Sequence, residues 1–130
     1  MRPRMTPGLR RAYHRTEYTV SGITLRIGRR SAGMDRLLRS WNRREAAFIT
    51  AYNPYSRPMP PGWNRRMQQR LLLAARRWPV LPASGQWRRW REAHLVILAP
   101  RPCATVLARR FRQHGIVMLR RGQPALLVFT

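Results

Sequence analysis

The 130-residue chain contains no lysine and only four acidic residues, Glu17, Asp35, Glu45 and Glu92. Its 27 basic residues are therefore all arginines, and the formal net charge is +23. At most four guanidiniums can have a carboxylate of their own. The others must face solvent, backbone carbonyls or a polyanion. Such a surface attracts nucleic acid or anionic lipid. Arginine in place of lysine carries less weight, because a GC-rich genome alone produces it.

Other absences narrow the classes further. Cys103 is the only cysteine, which excludes an internal disulfide and a cysteine metal cluster. Its place on the apolar face of a helix suits a thiol acting as a small hydrophobe. No apolar run approaches the ~18 residues of a transmembrane helix, so no membrane span is expected. No apolar segment of signal-peptide type follows the basic N-terminus. A cytoplasmic protein of bacterial type is the expectation. G-x-G-x-x-G, P-loop and G-x-S-x-G patterns are missing. His14, His94 and His114 lack metal-ligand spacing, and Glu45 and Glu92 are too isolated to form a carboxylate pair. No metal, cofactor or catalytic residue is assigned.

What is present is a foldable domain. Hydrophobic residues make up 44%, and 11 prolines and eight glycines divide the chain into short elements. That composition fits one compact domain rather than a disordered basic tail. Residues 1–12 read as a flexible basic arm and 13–130 as a single α/β (α+β) domain. Tyr18–Ile27 has strand alternation, with Ser21-Gly22 as a bulge or as a turn making two short strands. Met34–Arg43 has helical spacing, and Ser31 or Asp35 could help cap it. Ala46–Tyr52 is an apolar strand, and Gly62–Trp78 a long amphipathic helix stopped by Pro79. Val80–Arg91 reads as a loop with at most one short strand. His94–Leu98 is a strand, and Pro102–Phe111 a helix with Gly115 just past its end. Ile116–Leu119 and Ala125–Phe129 close the chain as a hairpin. The expected architecture is a mixed sheet of about five strands with three helices, some neighbouring strands being parallel.

Two groups of residues could carry function. The first begins at the end of the Ala46–Tyr52 strand, where proline breaks the chain before a helix opens; ligands in open α/β sheets sit at such junctions. Asn53, Ser56, Arg57, Asn64, Glu92 and Gln113 are the ligand-binding candidates. Amides both donate and accept, so this set could read a nucleobase edge or a small polar ligand. A local structural role for each competes: an Asx-type turn for Asn53 and Ser56, a helix cap for Asn64, an arginine partner for Glu92 and a helix-end tie for Gln113. The second group is Trp87-Arg88-Arg89-Trp90-Arg91, together with Arg65 and Arg66. Indoles and guanidiniums stack on bases, and guanidiniums bind phosphate. Equally, the indoles could cover the edge of the core with arginines stacked on them. Arginine pairs elsewhere are scattered, which favours diffuse attraction that weakens as salt rises.

Thr50-Ala51-Tyr52-Asn53-Pro54 with Ser56, then Asn64, Leu71, Trp90-x-Glu92 and Phe111-Arg112-Gln113, resembles a family of small bacterial domains of unknown function. That family is marked by T-A-x-N-P-x-S, W-x-E and F-G-Q segments. The resemblance spans about Tyr13–Phe129 and implies fold and site positions, but no activity. His94 stands where the pattern has serine, and Arg112 where it has glycine. The functional expectation is binding of RNA or single-stranded nucleic acid through the arginine and tryptophan surface. The alternatives are a small polar or phosphate-bearing ligand, bound or transformed around Asn53 and Asn64, and docking of an acidic protein partner. The sequence carries no signal for oligomeric state.

Overall fold

The computed structural model describes residues 4–130. In chain order they form α1 (Pro7–Arg15), β1 (Glu17–Val20), β2 (Ile23–Leu25), α2 (Ala32–Ser40), β3 (Glu45–Ile49), α3 (Pro61–Ala74), β4 (Val80–Trp87), β5 (Trp90–Ile97), α4 (Arg101–Arg110), β6 (Gly115–Arg120) and β7 (Leu126–Phe129). A single 3-10 turn at Pro54–Ser56 interrupts the loop between β3 and α3.

The seven strands lie in one sheet in the order β2-β1-β4-β5-β3-β6-β7, and every neighbouring pair is antiparallel. This corrects the expectation of about five strands, three helices and parallel neighbours. Among these seven strands, parallel relations occur across an intervening strand. β3 and β4, joined through α3, are separated by β5; β5 and β6, joined through α4, are separated by β3. The four strands β4-β5-β3-β6 with α3 and α4 thus form two interlocked split β-α-β units, the ferredoxin-like connectivity. The β1–β2 hairpin extends one side of this core and β7 the other. Of the two readings of Ser21-Gly22, the turn holds: both residues have positive φ, and Tyr18 pairs with Leu25 across it.

The sheet curls until its two edges approach. Ile27 forms a parallel bridge with Ala125. The Gly28 amide donates to the Ala125 carbonyl at 2.7 Å, and the Ala125 amide to that of Arg29 at 3.1 Å.

Residue parity assigns the two faces, because successive strand side chains point to opposite sides. Ala47, Ile49, Leu95, Ile97, Ile116 and Met118 face outward onto α3 and α4, against Leu71, Ala75, Ala104, Leu107, Ala108 and Phe111. Tyr18, Val20, Phe48, Val96, Val117 and Leu119 face inward, where Met34 and Leu38 of α2 pack among them. Ser31 caps α2 by accepting from the Met34 amide at 3.1 Å. Cys103 is half-buried at the edge of the outer core.

Three further expectations change. Residues 1–3 of the expected arm lie outside the described residues, and residues 7–12 belong to α1. That helix has its local start signals, Pro7 in the first turn and a Thr6 hydroxyl accepting from the Leu9 amide at 3.1 Å. It buries no residue fully, so no broad apolar stripe marks it in the sequence. Val80–Arg91 is not a loop: β4 and β5 pair over eight positions, from Val80–Ile97 to Trp87–Trp90. Pro82 is tolerated there because it stands one residue past the last β1 pair, Val20–Ala83, where that side of β4 has no strand to bond. Gly115 begins β6, and the residue that leaves α4 in the left-handed conformation is Arg112, at φ 55°.

Candidate functional site

The concave face is filled by α2 at one end and open at the other. There α1 lies across the sheet and leaves a cavity of about 500 Å³. Parity explains its walls. Trp87 and Gly85 on β4, Trp90, Glu92 and His94 on β5, Tyr18 on β1 and Phe48 on β3 share the inner face. All of them line the cavity, together with Tyr13 of α1. Arg91, between Trp90 and Glu92, falls on the opposite face and does not line it.

Of the six ligand-binding candidates, the cavity brings together four: Asn53, Ser56, Glu92 and Gln113. Of the arginine–tryptophan group it takes in Trp87, Arg88, Arg89 and Trp90. Arg57, Arg65 and Arg66 are exposed outside it. Asn64 is buried behind the wall and acts on it through Asn53.

The polar end of the cavity is an ordered network. The Asn53 amide donates to Asn64 Oδ1 at 3.0 Å, and Asn64 Nδ2 donates to Asn53 Oδ1 at 2.9 Å and to the Met59 carbonyl at 3.2 Å. Asn53 Oδ1 also accepts from the Met59 amide at 3.0 Å. These backbone partners fix both amide orientations, leaving Asn53 Nδ2 to donate to Glu92 Oε1 at 2.8 Å. Trp90 Nε1 donates to the same oxygen at 3.0 Å. Asn64 therefore does not cap α3, whose N-cap is Pro60. Glu92 is held by an amide and an indole rather than by an arginine. Gln113 ties the end of α4 to the loop, with Nε2 donating to the carbonyls of Tyr52 at 3.2 Å and Phe111 at 3.1 Å.

The loop is strained where it meets this network. Asn53, Tyr55 and Ser56 have φ of 47°, 50° and 60°. Asparagine tolerates that region, but a bulky tyrosine rarely adopts it. Its amide donates to the Arg112 carbonyl at 2.7 Å, and its ring packs on His114 at 5.3 Å. Strain held in place by surrounding bonds is common at ligand sites.

His94, which is not among the sequence-derived site candidates, is a wall residue. Its ring stands edge-on to Tyr18 at 5.7 Å and to Phe48 at 6.4 Å. It lies so close to β4 that a Cβ on Gly85 would sit 2.9 Å from its Cε1, so glycine is required there. His94 Nδ1 is 3.2 Å from the Glu92 carbonyl. A carbonyl only accepts, so Nδ1 carries the proton and Nε2 a lone pair. Burial holds the His94 pKa below its ordinary value, against the opposing pull of the Glu92 carboxylate. Burial pushes the Tyr13 phenol well up, with Glu92 adding to it. Tyr18 is raised by burial first and by Tyr13 next. Both phenols stay protonated and the imidazole uncharged at neutral pH.

The other three acids have structural partners. Glu17 pairs with Arg26 at 2.8 Å. Asp35 accepts from the Gly122 amide at 3.0 Å and lies 3.5 Å from Arg30. Glu45 accepts from the Arg101 amide at 3.0 Å, at the start of α4. Glu92 alone faces the cavity.

An α+β domain with a ferredoxin-like core and one polar-ended cavity under a basic rim is the class that fold and site define. The family described as Protein of unknown function (DUF3293) matches residues 49–116, more than half of the chain, and the chain belongs to that family. The match runs from the end of β3 into β6 and takes in every candidate residue named above. It is narrower than the resemblance, leaving out α1, β1 and most of β3, which supply Tyr13, Tyr18 and Phe48 of the cavity wall. No curated protein and no solved structure matches the chain. Among the described residues, no helix is long and apolar enough to cross a membrane.

Proposed function

We propose that this protein binds single-stranded nucleic acid in the cytoplasm by taking one unpaired base into the cavity. The arginines at the rim then hold the flanking phosphates. The observation that supports this is the convergence of both candidate groups on one opening: Asn53, Glu92 and Gln113 inside, Trp87, Arg88, Arg89 and Trp90 at the mouth. The cavity volume lies within the ~300–1,000 Å³ range usual for small-molecule sites. The aromatic walls suit a flat ring, and base–aromatic stacking contributes about 1–3 kcal/mol per base. Arg88 already lies over the Trp87 ring, with Cζ 4.9 Å from its centroid, leaving its N–H groups available to phosphate.

The test is binding of a labelled single-stranded RNA hexamer at about 50 mM salt, repeated at about 200 mM, where phosphate contacts weaken steeply. Trp87→Ala with Arg89→Ala is expected to weaken binding by about tenfold. Arg65→Ala with Arg66→Ala, on α3 away from the cavity, measures diffuse attraction alone and is expected to cost about threefold or less. Equal losses from the two double variants would remove the cavity from the binding site. A second reading, a free small polar or phosphate-bearing ligand, draws on the placement of the amide and carboxylate groups inside the cavity rather than on the open surface. It replaces the first if a nucleoside monophosphate competes as well as the hexamer.

A further inference from the structure

Inside the mouth, beyond the Arg88 and Arg89 guanidiniums, the unused hydrogen-bonding atoms of fixed sense are mostly acceptors, and this bears on what kind of base enters. Gln113 commits both hydrogens of Nε2 to the Tyr52 and Phe111 carbonyls, and its Oε1 has no partner among the described residues. His94 donates through Nδ1 to the Glu92 carbonyl, so Nε2 can only accept. Glu92 receives Asn53 Nδ2 and Trp90 Nε1 on Oε1, and its Oε2 has no partner among the described residues. Asn53 Oδ1 is filled by Asn64 and Met59. Thr50 Oγ1 is filled too, donating to the Ala93 carbonyl at 2.7 Å and accepting from the Tyr52 amide at 3.0 Å. The remaining N–H of Asn53 and, at the mouth, the guanidiniums of Arg88 and Arg89 are donors, while the Ser56 hydroxyl and the phenols of Tyr13 and Tyr18 can act either way.

Three free acceptors, one of them a carboxylate oxygen, match a ligand edge that donates. The geometry points to selection of an amino-bearing nucleobase (cytosine, adenine or guanine) over uracil or thymine, with Glu92 Oε2 as the selecting acceptor. An exocyclic amino group brings two N–H donors to the position where uracil and thymine bring a carbonyl. A carbonyl there would meet the Glu92 carboxylate head-on and leave it desolvated without a partner, which costs more than the lost hydrogen bond itself. This inference rests on the base-binding reading above.

The experiment compares labelled rC, rA and rU hexamers with the full-length protein at one salt concentration. CMP and UMP serve as competitors to separate a strand-borne base from a free nucleotide. The rC and rA hexamers are expected to bind about tenfold more tightly than rU. In E92Q the oxygen stays with Asn53 and Trp90, so the new amide nitrogen replaces Oε2. An acceptor becomes a donor, and the preference is expected to fall to about threefold or less, or to turn toward rU. Equal affinity of the wild-type protein for the three hexamers overturns the inference while leaving the base-binding reading in place. Undiminished preference in a folded E92Q overturns the role of Glu92. Absence of binding to any hexamer at about 50 mM salt removes both proposals together. The wild-type comparison needs no variant, so it decides the matter even if E92Q does not fold.

Discussion

The two ends of the concave face are built from the same strands by the same alternation, yet one is solid and the other hollow. At the solid end α2 drives Met34 and Leu38 into the trough. Its buried acid, Asp35, is tied to the β6–β7 turn through the Gly122 amide. At the hollow end α1 spans the trough without burying any residue fully. The acid there, Glu92, keeps one oxygen without a partner among the described residues, and a glycine at position 85 admits a histidine ring where a larger residue would fill space. The contrast shows how one sheet can separate stability from recognition along its length. Close packing belongs to one end, and unfilled volume and free polar atoms to the other, where the proposed base would sit.

That separation can be broken most forcefully at Leu38, which is fully buried. Leu38→Ala is expected to cost about 3–5 kcal/mol in chemical denaturation, while the fraction that remains folded keeps its affinity for the RNA hexamer. Tyr13→Ala, at the hollow end, is expected to cost only about 1–2 kcal/mol because part of that ring already faces open space, and to show its effect in affinity. If the two truncations cost the same stability, the hollow end is as tightly packed as the solid one and the comparison falls.

A gentler probe is pH. The folded protein holds the His94 pKa below its ordinary value by burial. As pH falls below about 6.5, the unfolded chain takes up a proton that the folded chain excludes. Stability contributed by the neutral ring is therefore present above that value and is lost on acidification. Denaturation at about pH 8 and about pH 5.5 should show the loss in the wild type and a smaller one in His94→Gln. An identical pH dependence in both would place the ring in ordinary solvent contact.

The smallest expected effect is a gain. Arg112 is exposed and left-handed, with φ 55°. Arg112→Gly should relieve that conformation and raise stability by up to about 1 kcal/mol. The backbone carbonyl that accepts from the Tyr55 amide stays in place. A fall in melting temperature would mean that the arginine side chain does more there than its exposure suggests.

Much of the core was legible in the sequence because its signals are local. The apolar runs of β3 and of the closing β6–β7 hairpin and the periodic face of α3 each mark their element. The resemblance led to the right family, and Pro54, in the loop after β3, marked the stretch that lines the polar end of the cavity. The misses have physical reasons. Pro82 and Gly85 look like chain breakers, yet one stands where a neighbouring strand has ended and the other makes room for an imidazole. Reading them as a loop hid the alternation of Trp90, Glu92 and His94 on one strand face. α1 was missed because it lies over a hollow and so needs little apolar surface of its own. The antiparallel order was not available from the run of strands and helices, since split β-α-β units and adjacent parallel ones share the same order of elements. His94 was not among the site candidates because nothing in a lone histidine foretells which backbone carbonyl will fix its tautomer.

The meeting of Ile27 with Ala125 has a consequence for how the molecule encounters other chains. Outer strands normally expose a row of free amides and carbonyls that invites a foreign strand to zip on. Here the stretch beyond β2 and the stretch before β7 occupy each other's backbone groups. Visitors to this seam find no ladder to extend.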